Sequence, residues 1–171
     1  TASFLGLRLF RPAPDGGWQS RPIAKGAPEP CPKCGSSEVA EGRLGKQRFL
    51  AAIEPWHGHQ VAIYRERKGA WQRNVIDSSF QNGHALAVGD LDRDGRDEVV
   101  AGYRGPGFQL YVYREQDKDG ERWQREALDA GGIAAADCKI RDFNGDGRPD
   151  IACIGASTAN LKWYENLGPA K

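Results

Sequence analysis

The sequence predicts an all-β fold, a β-propeller of four-stranded antiparallel blades, from three observations. Two unrelated landmarks keep one period, a single turn chemistry repeats with that period, and no segment is long or periodic enough for a convincing helix. Trp18, Trp71 and Trp123 are 53 and 52 positions apart, and Asp90 and Asp142 are 52 apart. A four-stranded unit repeating at about 50 residues and packed on its neighbours is the pattern of a propeller blade. A β-sandwich would not repeat its turn residues so faithfully, and the coils of a β-solenoid are usually shorter.

Two phrases alternate along the chain. The first is an apolar strand ending in an aromatic, a glycine-containing turn, then Trp-Gln and another strand: LRLFRPAPDGGWQSRPIA (7–24), VAIYRERKGAWQRNVID (61–77) and LYVYREQDKDGERWQREALD (110–129). A further copy, LKWYENLG (161–168), stops before its tryptophan. The second phrase is HALAVGDLDRDGRDEVVAGY (84–103) and CKIRDFNGDGRPDIACIG (138–155), with a worn version, EVAEGRLGKQRFLAAIE (38–54). Strands are expected at 85–91, 98–104, 109–114 and 122–128 of the best-defined unit, bounded by Gly, Asp, Asn and Pro. EVVAGY and DIACIG are apolar almost throughout, which suits strands covered on both faces.

The expected organisation is one propeller domain. Residues 1–26 supply the outer two strands of a partial blade, 27–81 a blade with a worn acidic loop, 82–131 a blade with an intact one, and 132–171 a partial blade with another. About three blades do not close a ring, since propellers typically need four or more. The remaining blades are expected from the same longer chain or from another subunit. The absence of methionine and the start at Thr1 predict a chain processed or cut from something longer.

Composition narrows the class but names no ligand. With 39% apolar and 27% charged residues, the chain is of ordinary globular type. Lys and Arg number 24 against 23 acids, so no global basic field points to nucleic acid. No apolar run is long enough for a membrane-spanning helix, and the first residues lack the pattern of a signal peptide. An extracellular or periplasmic setting is expected, although four cysteines leave the redox compartment open.

DLDRDGRDE (90–98) and DFNGDGRPD (142–150) place oxygen-bearing side chains at alternate positions around a glycine turn. Ca²⁺ prefers six to eight oxygen ligands, and alternating carboxylates on a tight loop can converge on one ion. An EF-hand begins similarly but needs a Glu at its twelfth position, where this chain has Ala101 and Cys153. These residues resemble the FG-GAP or VCBS calcium-loop repeats, also found in the head of integrin α chains. The resemblance implies two Ca²⁺ sites in the loops between the first and second strands of a blade. One would use Asp90, Asp92, Asp94, the Arg96 carbonyl and Glu98; the other would use Asp142, Asn144, Asp146, the Arg148 carbonyl and Asp150. The alternative is a pair of solvated Asp/Asn turns. The worn copy has Arg43, Gly45 and Gln47 instead, and is expected to be empty.

In a four-stranded meander, loops between second and third strands emerge opposite the acidic loops. His57 and His59, in EPWHGHQ (54–60), and His84, before the innermost strand of the next blade, are placed on that face. They form either a ligand or transition-metal site with Glu54 at a channel mouth, flanked by Trp56 and Tyr103, or polar loop residues bonded to backbone. CPKC (31–34) offers half a zinc knuckle, a local disulfide or free thiols. Cys138 and Cys153 are expected as core neighbours, with a cross-strand disulfide as the lesser alternative. The recurring tryptophans are expected to pack and protect blade edges.

Two functions remain. The resemblance implies a calcium-stabilised propeller that presents loops to a protein or carbohydrate. The EPWHG loop also looks like that of sugar-converting propeller lyases, which implies a dehydratase with His57 and His84 as catalytic candidates and Glu54 behind them.

Overall fold

Every regular element in residues 1–168, which the computed structural model describes, is a β-strand. Strands β1 (Ala2–Ser3), β2 (Gly6–Pro12) and β3 (Trp18–Ala24) form the first antiparallel sheet. A small hairpin of β4 (Ala27–Pro28) and β5 (Cys34–Gly35) lies in the link to the second sheet. That sheet holds β6 (Glu38–Leu44), β7 (Gln47–Glu54), β8 (Gln60–Arg67) and β9 (Ala70–Asp77) in sequence order. The third repeats it with β10 (Gly83–Gly89), β11 (Glu98–Tyr103), β12 (Gln109–Glu115) and β13 (Trp123–Ala130). The last has β14 (Ala135–Arg141), β15 (Asp150–Gly155) and β16 (Leu161–Tyr164).

Each four-stranded sheet is an antiparallel meander, and successive sheets pack face to face, so the expected blades of an incomplete propeller are present. Strand alternation divides each blade between two interfaces. In β8, Val61 and Ile63 enter the core shared with the following blade, whereas Ala62 and Tyr64 enter the core shared with the first sheet. In β11, all six residues are buried because both faces are covered. The first strands of the blades are neighbours, with β10 between β6 and β14.

The strand expected at 122–128 runs two residues further, to Ala130. The partial blade at 132–171 shows three strands up to Tyr164, and its residues 169–171 lie outside the described ones. No helix among the described residues is long and apolar enough to cross a membrane.

Both cysteine pairs are disulfides. Cys31 and Cys34 close the loop of the β4–β5 hairpin, with Cα atoms 4.6 Å apart. Cys138 and Cys153 were expected mainly as free core neighbours. Register places them directly opposite across β14 and β15, with Cα atoms 4.2 Å apart and both side chains in the core, where they form a bond.

Candidate functional site

The acidic loops join the first two strands of their blades and share one hydrogen-bond scheme, 52 residues apart. Asp90 Oδ2 accepts from the Gly95 N–H at 2.9 Å, and Asp142 Oδ2 from the Gly147 N–H at 2.8 Å. The N–H of Asp94 donates to Asp92 Oδ1, as that of Asp146 does to Asn144 Oδ1. Asp94 and Asp146 each accept from the N–H two residues on, that of Arg96 or Arg148. Glu98 closes its loop through the Leu91 N–H, and Asp150 through that of Phe143. Gly95 and Gly147 have φ of 82° and 87°, a region that a side chain would strain.

The two loops differ in what their oxygens face. Asp90, Asp92 and Glu98 each place a carboxylate oxygen within 4.8 Å of the other two. Burial raises Glu98 to about 7; the Leu91 N–H pulls the other way, while Asp92 and Asp94 add to the rise. This is a concentration of negative charge with little compensation, and the donor set fits a hard cation. In the second loop, Arg148 pairs with Asp146, and Asn144 Nδ2 donates to Asp146 at 3.3 Å and Glu165 at 2.9 Å. Backbone N–H groups of Asn166 and Phe143 help hold Asp150 below the usual carboxylate range. Its oxygens are thus partly satisfied by protein donors.

The worn hairpin leans against the first acidic loop. β6 and β7 turn through Gly45 and Lys46 alone, leaving no room for an alternating ligand set. Instead, the Arg43 N–H donates to Asp97 Oδ2 at 2.7 Å, the Asp97 N–H to the Arg43 carbonyl at 2.7 Å, and the Gly45 N–H to the Gly95 carbonyl.

On the other side, the turn after β7 brings an aromatic and histidine cluster to the surface. Trp56 and His57 stack with centroids 5.0 Å apart, and Phe4 lies 5.6 Å beyond Trp56. His57 is 5.2 Å from His84, ring to ring. His84 sits at a register shift between Gly83 and Ala85, and Ala136 at the equivalent shift one repeat later. A bulge re-aims its side chain, and here His84 Nδ1 reaches the Ala136 carbonyl at 2.8 Å. A carbonyl only accepts, so Nδ1 donates in this contact and Nε2 is left for other partners. His57 is shifted below the ordinary imidazole value by burial, with His84 and Arg104 adding to the effect.

Glu54, Tyr103 and His59 are not part of this cluster's contacts. Leu50, Ala52 and Glu54 alternate onto the same side of β7, the side covered by the first sheet. There Glu54 is fully buried and accepts from Ser36 Oγ, Tyr64 Oη and Arg73 Nε at 2.6–2.7 Å. Tyr103 is buried against Phe80, and His59 is exposed. Sequence reasoning missed Phe4 and Arg104, which loop packing brings near Trp56 and His57, and Glu38 at the start of β6. Burial raises Glu38, while His84 opposes the rise. The 52-residue period, which equates His84 with Ala136, was the available signal for their contact.

Comparison with curated proteins gave no match. The family model for an FG-GAP-like repeat matches residues 90–153, from the first acidic loop through the second and into its returning strand, so this stretch of the chain is similar to an FG-GAP-like repeat.

Proposed function

We propose that the chain is part of a calcium-stabilised propeller-like binding module that presents the face opposite its acidic loops to a protein or carbohydrate ligand. The observation that carries this proposal is the convergence of Asp90, Asp92 and Glu98 within a hydrogen-bond scheme repeated at residues 142–150. Asp90, Asp92, Asp94, Glu98 and the Arg96 carbonyl would hold one ion. Asp142, Asn144, Asp146, Asp150 and the Arg148 carbonyl would hold a second, more weakly, because Arg148 and Asn144 must first release Asp146. The ion would neutralise the first loop's charge and fasten the inner strands of each blade. Two disulfides suit an extracellular or periplasmic setting. Metal analysis and melting curves with and without chelator test the proposal; unchanged calcium content and melting temperature would refute it.

One observation favours a second reading, a metal-dependent lyase. His57 and His84 lie 5.2 Å apart by ring centroid, close to the roughly 5 Å expected for two imidazoles on one tetrahedral metal. A transition metal would supply Lewis acidity for a leaving hydroxide. His84, oriented by Ala136 through Nδ1, and His57 would hold that metal, without Glu54, whose oxygens are already committed. A transition-metal inventory separates the readings: calcium alone favours the binding module, and a second metal lost in His84→Ala favours the lyase.

A further inference from the structure

Two of the interfaces between blades follow one rule. A blade's Tyr and Trp from its third and fourth strands face the preceding blade: Tyr64 and Trp71 pack in the core shared with the first sheet, and Tyr113 and Trp123 in the core shared by the second and third. The opposite side of a blade offers mainly aliphatic side chains to its successor, with Phe49 of the second blade set against Trp123. In the third blade these are Val100, Leu110 and Val112, all buried against β14–β16.

Both rules leave a face unmatched. Strand pairing equates Ala152 with Val100, Ile154 with Gly102, Leu161 with Leu110 and Trp163 with Val112. In the last blade this successor-facing side is open, with Ile154 54%, Leu161 71% and Trp163 49% exposed. At the other end, Phe10 and Trp18 stand where Tyr64 and Trp71 stand in the second blade, and they are 43% and 70% exposed. Among the described residues, one copy of each half of the blade interface is open.

We infer that these two faces meet between molecules, the last blade of one copy packing head to tail on the first sheet of a second copy. The argument is continuity: the two interfaces that the complete blades make with the sheets before them join a successor-facing side to a Tyr/Trp side. The last blade adds Tyr164 to the third interface in the same way, and among the described residues these two faces are left open. Contacts joining different patches are heterologous and generate chains or rings. Large exposed apolar faces are otherwise rare on monomers.

Sedimentation of the wild-type chain over a concentration series tests this. Wild type is expected to associate as concentration rises, and Leu161→Asp and Trp18→Asp each to sediment as monomers at concentrations where wild type associates. Mixed one to one, the two variants are expected to form heterodimers, because each retains the face the other lacks. Ile154→Lys serves as a second last-blade variant, and circular dichroism verifies that each variant is folded. Monomeric wild type at every concentration would overturn the inference, leaving these faces to blades of a longer chain or to another protein. Association surviving in folded Leu161→Asp and Ile154→Lys, or a mixture that stays monomeric, would overturn it as well.

Discussion

His84 and Ala136 occupy the same bulge in consecutive blades, and the imidazole of the first donates to the carbonyl of the second at 2.8 Å. The bond joins two inner strands and leaves Nε2 turned to other partners. His84→Ala is therefore expected to cost about 1 kcal/mol, the usual net worth of such a bond. His57→Ala, which breaks no bond between blades, should leave stability nearly unchanged. If the two rings form a metal site, both variants lose Zn²⁺ or Ni²⁺ binding by calorimetry. Loss of stability without loss of metal binding would reduce His84 to a structural role.

Acid sensitivity should trace in part to Asp77. Burial pushes its carboxyl up, but hydrogen bonds from Ser79, Tyr113 and Arg125 outweigh that, and its pKa lies below the ordinary value. A depressed folded-state pKa contributes stability that is present above the unfolded value, about 3.9, and is lost as pH falls through the folded value. Asp77→Asn should be less stable near neutrality and show a flatter dependence below about pH 4. Urea melts between about pH 2 and 7 would check both, and an unchanged acid slope would contradict the assignment.

The repeat was legible because its turn chemistry recurs with its packing. Asp90 and Asp142 announce the same hairpin, and Trp71 and Trp123 the same edge. Glu54 was placed with the histidines by nearness in sequence. Strand alternation, also readable from Leu50 and Ala52, instead sends it to the opposite interface and into partnership with Arg73. The contact between Phe4 and Trp56 could not be read locally, because it joins loops of different sheets.

The Cys138–Cys153 disulfide spans the second acidic hairpin and closes a sequence separation of 15. Chain-entropy arguments assign about 3 kcal/mol to a loop of that size, provided the native geometry is unstrained. The paired Cys138→Ala/Cys153→Ala variant should be less stable by about 2–3 kcal/mol. Peptide mapping without reductant should recover the linked peptides. Free thiols in the folded wild type would disprove the pairing.

Calcium binding should be unequal at the two loops. The first loop has three converging carboxylate oxygens and a buried Glu98 raised to about 7, which the Leu91 N–H and Arg114 only partly offset, so binding a cation there relieves charge repulsion. In the second, the Arg148 pair and the Asn144 amide already answer Asp146, and a cation must displace them. Calorimetric titration should resolve a tighter and a weaker site, with Glu98→Gln removing the tighter and Asp150→Asn the weaker. At a hundredfold excess over Kd, one site adds about 2.7 kcal/mol, or about 5 to 10 °C in melting temperature for a chain of this size. Arg148→Ala, which frees Asp146, should strengthen the weaker site. Equal affinities in wild type, or no gain from Arg148→Ala, would show that Arg148 does not limit binding.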